Sequence, residues 1–135
     1  MEQQDILSMT LPELQAAVQE LGEPKFRAKQ IFNWLHQKRV TDFSEMTTLS
    51  LPFRKRLASD FCINWLKIAK RLASSVDDTV KYLYELPDGN YVETVCMQYH
   101  HGTSLCISTQ VGCRMGCRFC ASAIAGFVRN LTPAE

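Results

Sequence analysis

The sequence predicts an α+β chain: a small helical domain over residues 1–75, then a β-rich segment over 76–135. Two patterns carry this. Up to about residue 70, apolar residues recur at spacings of three and four, as on one face of a helix. From Val76 onward, β-branched and aromatic residues gather in short runs separated by turn signals. A third feature sets the functional question: four of the six cysteines fall between residues 104 and 130, three of them in "CRMGCRFC".

Thr10 and Glu13 form a capping box, with Pro12 in the first turn. Leu14, Ala17, Val18 and Leu21 then make one apolar stripe, and Gly22 stops the helix. Pro24 starts a second helix that sends Phe26, Ile31, Trp34 and Leu35 toward a core. Asp42 or Ser44 caps a short turn. Pro52 opens a third helix, with Phe53, Leu57 and Phe61 inward and Arg54, Lys55 and Arg56 outward.

"TVKYLYEL" and "YVETVCMQY" read as two strands of a hairpin around the turn "PDGN". "HHGT" is a second turn, and "SLCIST" a third strand whose end delivers the cysteine loop. In "NLTPAE", Thr132, Pro133 and Glu135 carry a helix-start signal. The expectation is therefore an N-terminal piece of a longer protein.

Composition narrows the function classes. Hydrophobic residues make up 46 % and charged residues 21 %, a globular composition. No apolar run is long enough to span a membrane, and "MEQQDILSMT" lacks a secretory pattern. A cytoplasmic protein without a membrane partner is expected. There, clustered cysteines serve as metal ligands or catalytic thiols more often than as disulfides. Net charge is +1, yet the segment Lys25 to Arg71 holds eleven Lys and Arg against three acids, a local +8. Such a segment attracts nucleic acid, or else forms solvated helix faces.

Cys113, Cys117 and Cys120 are spaced C-x3-C-x2-C. A cubane iron–sulfur cluster has four irons, so three thiolates leave one iron open to a substrate or cofactor. Zinc remains an alternative, with Cys106, His100 or His101 as a fourth ligand.

This spacing is the motif of the radical S-adenosylmethionine superfamily. The surrounding string resembles the RlmN-type dual-specificity RNA methyltransferases: "VETV" at 92–95, "CISTQVGCRMGCRFCAS" at 106–122, "G-x-x-RNLT" from Gly126 to Thr132, and "KFRAKQIFNWL" in the helical half. The resemblance spans essentially the whole chain.

The resemblance implies a fold, a chemistry and partners. The β-rich half would begin an incomplete radical SAM α/β barrel of partial TIM type. Cys113, Cys117 and Cys120 would hold a [4Fe-4S] cluster whose open iron binds S-adenosylmethionine. The substrates would be C2 of an adenosine in large-subunit ribosomal RNA and in certain tRNAs, with an electron donor for the cluster. A cysteine late in the family's chain carries the methyl group. Cys106 matches the family's upstream cysteine, which resolves the protein–RNA adduct as a disulfide. Glu93 matches its proposed proton acceptor. No cysteine follows Cys120, so the 135 residues are expected to be inactive by themselves. Rival readings are a Cfr-type C8 methyltransferase and a non-catalytic iron–sulfur or zinc RNA-binding module.

Alternation places Glu93 on one strand face with Tyr91, Val95 and Met97. A carboxylate on that apolar face needs a partner or a proton, and desolvation would raise its pKa. The competing reading is an edge-strand glutamate turned to water. Cys62 and Cys96 read as small buried hydrophobes. His100 and His101 read as exposed turn residues, and His36 as a helix-end residue. Trp34, Trp65 and Phe26 read as core rather than base-stacking platforms. Gly116 would allow the turn between ligands, and Gly126 a loop near the cofactor.

Overall fold

The computed structural model describes residues 3–135. Met1 and Glu2, the first residues of the stretch read above as lacking a signal pattern, lie outside the described residues. The chain divides into two compact units, one running to Trp65 and the other from Leu66 to Pro133, with Glu135 in the second.

The first unit is helical. A two-residue strand, β1 (Gln4–Asp5), leads into a 3-10 turn and then α1 (Leu11–Glu20). Glu13 accepts from the backbone N–H of Thr10 at 2.7 Å and from its hydroxyl at 2.6 Å. Helix α1 ends in a Schellman closure: Gly22 has φ +76° and donates to Gln19, while Glu23 donates to Val18. Helix α2 spans Phe26–His36, and a 3-10 turn at Phe43–Glu45 is capped by Asp42, which accepts from the Ser44 N–H at 2.7 Å. Helix α3 spans Leu51–Asp60, followed by β2 (Phe61–Cys62), which pairs parallel with β1.

The core forms where the helical stripes meet. Leu14 and Val18 of α1, Ala28, Ile31 and Leu35 of α2, and Phe53 and Leu57 of α3 are all buried. Several expectations fail. Phe26, expected inward, is 54 % exposed in the first turn of α2. Arg54, expected outward, turns in to donate to the Ser44 carbonyl. Trp65 is exposed but tethered, its indole N–H donating to the Val40 carbonyl at 2.9 Å. Trp34 is half-buried and fixed through Nε1 to the Thr48 hydroxyl at 2.8 Å. Cys62 and Cys96 are half-buried rather than enclosed.

The second unit is an antiparallel meander of β3 (Lys67–Ala73), β4 (Val80–Glu85), β5 (Tyr91–Tyr99) and β6 (Gly102–Ile107), in that spatial order. The boundary read near residue 75 falls after β3. That strand escaped notice because Lys67, Lys70 and Arg71 sit on an exposed edge, where charge suppresses the β pattern. The β4–β5 turn closes on Gly89, with φ +81° and its N–H donating to Leu86. A separate ribbon pairs β7 (Gln110–Gly112) with β8 (Phe127–Asn130), with one helical turn, α4 (Ala121–Ile124), between them. Leu86, Val92 and Val111 are buried together, with Leu66, Tyr84 and Leu131 against them. The fold class is thus α+β, as the sequence predicts.

Phe53 is among the largest fully buried side chains of the helical core. Phe53→Ala should lower stability by about 3–5 kcal/mol through lost burial and a residual cavity. Urea unfolding followed by helical circular dichroism measures this; a loss below about 1 kcal/mol would mean that the helices do not share this core.

Candidate functional site

The cysteine loop is a closure between β7 and β8. Gly112 has φ +72°, and a Cβ there would collide with the Gly126 carbonyl oxygen. The same carbonyl accepts from the Cys113 N–H at 3.2 Å. Two backbones therefore touch at the mouth of the loop, which only glycine permits. Gly116 has φ +65° and turns the chain between Cys113 and Cys117, as expected. The Cys120 N–H donates to the Cys117 carbonyl at 3.1 Å, and α4 begins at the next residue. Cys113 Sγ accepts from the Met115 N–H at 3.5 Å. The Arg114 guanidinium lies 4.0 Å from the Phe127 ring centroid.

Cys113, Cys117 and Cys120 are half-buried. Among the described residues, no three His, Cys, Asp or Glu side chains converge as a metal-holding group, and these thiols are no exception. The donor chemistry is nonetheless specific. From Cys106 to Ala134 there is no Asp or Glu, so soft thiolates are the only anionic ligands the loop offers. Three such thiolates suit an iron–sulfur cluster or, with a fourth ligand, zinc. His100 and His101 lie at the β5–β6 turn, separated from the cysteine loop by the length of β6, roughly 20 Å of strand.

A cleft of about 690 Å3 opens beside the loop, lined among others by Glu93, Val95, Cys106, Cys113, Ala121 and Gly126. Register explains the convergence. Val95 pairs with Cys106 across β5–β6, so Cys106 shares the sheet face of Val95 and Glu93. Cys106 is exposed on that face. The Ser108 hydroxyl donates to the Glu93 carbonyl at 2.8 Å, tying the strand leaving β6 to β5.

Glu93 follows each sequence reading in part: it has a partner and it faces water, but on an interior strand. Strand β5 is interior to the sheet, so Glu93 is not an edge residue. Its carboxylate is also not desolvated: the side chain is 54 % exposed and pairs with Lys81 Nζ at 2.8 Å. The cation on β4 meets the carboxylate that the one-strand pattern left without a partner. Cys117 and Cys120 do not line the cleft, whereas Cys113 does.

The sequence reading missed Gly112, Lys81 and Arg129. Gly112 stands immediately before Cys113, and that position was its only signal. Arg129 on β8 is a fork: Nε donates to Asp88 at 2.6 Å, and Nη1 and Nη2 donate to the two Glu135 carboxylate oxygens at 2.7 and 2.8 Å. It joins the β4–β5 turn to the ribbon carrying the cysteine loop. The Arg129 guanidinium holds the Asp88 carboxyl far below the usual carboxylate range. It lowers Glu135 as well, against the opposing effect of partial burial.

Comparison with known proteins places this geometry in context. Residues 4–63 match the family described as the ribosomal RNA large subunit methyltransferase N-terminal domain. The chain is 57 % identical over 134 residues to a probable dual-specificity RNA methyltransferase RlmN of Lachnoclostridium phytofermentans, covering 97 % of this chain and 37 % of that one. It is 53 % identical over 135 residues to its counterpart in Alkaliphilus oremlandii, covering 100 % and 39 %. The crystal structure of a radical SAM methyltransferase from Sphaerobacter thermophilus superposes with a TM-score of 0.82 at 36 % identity, covering 95 % of this chain and 38 % of that one. The chain thus spans a little over a third of the length of these relatives.

Two variants test the closure. Gly112→Ala should disrupt the β7–β8 pairing, because its methyl must displace backbone rather than a side chain; amide exchange at Arg129 and Cys113 should rise by orders of magnitude. For the fork the sign follows from linkage. A carboxyl lowered in the folded state adds stability above its unfolded value of about 4, and that stability is lost as pH falls. In Arg129→Met the Asp88 carboxyl should titrate higher than in the parent protein, while the Asn90 N–H still holds it below its ordinary range. Carboxyl NMR titration reads this directly; identical curves in the two proteins would remove Arg129 as the cause.

Proposed function

Because the chain belongs to the RlmN-type methyltransferase family, we propose that it forms the RNA-contacting helical unit and the cluster-binding segment of a radical S-adenosylmethionine RNA methyltransferase acting on C2 of adenosine in ribosomal RNA and tRNA. In this reading the helical unit up to Trp65 is an accessory domain that contacts RNA, and the β-rich unit from Leu66 begins a partial α/β barrel. The protein works in the cytoplasm with an electron donor. No helix among the described residues is long and apolar enough to cross a membrane.

One observation carries the proposal: Glu93, Cys106 and Cys113 line a single cleft, although thirteen and seven residues separate them in sequence. Cys113, Cys117 and Cys120 would hold the cluster as thiolates, in a loop free of competing carboxylates. A [4Fe-4S] cluster there supplies the electron that cleaves the sulfonium of S-adenosylmethionine, which C2 chemistry requires because that carbon is a poor nucleophile.

The chain's own residues do the rest. Glu93, positioned by its pair with Lys81, accepts the proton lost from the base carbon as aromaticity returns. Cys106 attacks, as thiolate, the sulfur that links a methyl-carrying cysteine to the RNA adduct. A disulfide forms as the carbon–sulfur bond breaks, and its electron pair stays on the methylene carbon, which takes up a proton to become the methyl group. The methyl-carrying cysteine is not among these residues, since none follows Cys120.

Anaerobic reconstitution of the 135-residue chain should incorporate about four irons. Cys113→Ala, Cys117→Ala and Cys120→Ala should each abolish incorporation, and Cys106→Ala should leave it intact. Stoichiometric zinc with iron excluded would overturn the cluster assignment in favour of a zinc module. In a full-length protein carrying this segment, Cys106→Ala should trap a covalent protein–RNA adduct, and a product methylated at C8 would reject the C2 assignment.

A further inference from the structure

The helical unit carries a surface that the cleft does not use. From Lys25 to Thr41 the sequence holds five cations and no acid. The structure gathers much of this charge around aromatic rings. Phe26, Gln30 and Trp34 follow one another at intervals of four along α2, and Lys38 continues the row in the turn beyond it. Lys38 Nζ sits 3.4 Å from the Trp34 ring centroid, and the Arg27 guanidinium 5.0 Å from that of Phe26. Lys25, Lys29, Lys38 and Arg39 are exposed. Trp34 is held by its bond to Thr48, and the Arg27 guanidinium by bonds to Gln30 at 2.9 Å and the Thr48 carbonyl at 3.3 Å.

A second, independent observation lies at the end of this helix. The Lys38 N–H donates to Asn33 and the Val40 N–H to Trp34, and between them Arg39 has φ +54°. It is the one non-glycine residue among those described with positive φ. Glycine adopts this conformation without strain, and arginine does not. Arg39 accepts no structural role that a glycine would not fill better, so its side chain points to function.

We propose that α2 and its C-terminal turn form a contact ridge for single-stranded RNA, with Phe26 stacking on a base and Lys38 and Arg39 meeting phosphates. Interleaved cations and exposed rings are what a sequence-tolerant single-strand site requires. The inference rests on the RNA reading of the helical unit and assigns that reading to one surface. The rival basic face on α3, at Lys55 and Arg56, has no aromatic ring paired with it among the described residues.

The test uses the whole 135-residue chain and a short fluorescein-labelled single-stranded RNA of mixed sequence, followed by anisotropy across a salt series. Arg39→Gly should weaken binding several-fold and flatten the logarithmic salt slope by about 0.7, the loss of one phosphate contact on a single strand. Its melting temperature should stay level or rise, which a purely structural arginine would not allow. Phe26→Leu should weaken binding about five- to tenfold with the salt slope unchanged. Lys55→Gln with Arg56→Gln should have a smaller effect than Arg39→Gly. If RNA binds but the α2 variants match the parent chain, or the α3 pair matters as much, the ridge is refuted and the RNA reading stands. If no RNA binds, the RNA reading of the unit fails and the ridge with it. Binding of phosphatidylserine–phosphatidylcholine vesicles with the same Phe26 and Arg39 dependence, and none of RNA, would assign the surface to membranes instead.

Discussion

The cysteine loop depends on two backbones touching. Where β7 ends, Gly112 packs against the Gly126 carbonyl so closely that no side chain fits, and the same carbonyl receives the Cys113 N–H. This contact gives the residues from Cys113 to Ala125 fixed ends despite having only one helical turn of regular structure. The Arg129 fork extends the constraint by binding the ribbon to the β4–β5 turn through Asp88. Glu135, whose side chain is only 8 % exposed, completes the fork. A small buried cluster of Leu86, Val92 and Val111 could hardly order this segment alone; directional bonds contribute what apolar area does not.

Within that frame, Glu93 shows how a neighbouring strand supplies a partner that one strand alone does not reveal. A one-strand view puts it among Tyr91, Val95 and Met97 and suggests burial. The sheet instead brings Lys81 within 2.8 Å and leaves the pair open to water. An exposed pair of this kind adds little stability, typically less than about 1 kcal/mol, so it is better understood as holding charge and position at the cleft. Cys106 stands on the same face because antiparallel register pairs it with Val95. Both side chains therefore line one cleft without either being enclosed.

The helical unit shows a different division. Its core follows the apolar stripes closely, with Leu14, Val18, Ile31, Leu35, Phe53 and Leu57 all enclosed. Its surface does not follow residue type. Phe26 faces solvent, Arg54 turns in to the Ser44 carbonyl, and Arg39 occupies a glycine conformation. These are the places where hydropathy alone misleads, and two of the three lie at the ends of α2, where a basic, aromatic surface collects.

The sequence by itself determined the α+β class, the first three helices, the "PDGN" hairpin and the cysteine triplet, because each is written in local periodicity, capping or turn chemistry. It also carried the family, since long strings around Cys106 to Ser122 are legible without coordinates. Strand β3 was hidden, because an edge strand with Lys67, Lys70 and Arg71 has no apolar face to announce it. The Lys81–Glu93 pair, the meeting of Cys106 with Glu93, the Gly112–Gly126 contact and the Arg129 fork were decided only by tertiary structure. Each depends on strand register or loop closure between residues 6 to 41 positions apart, and no local pattern encodes which partner a side chain will meet.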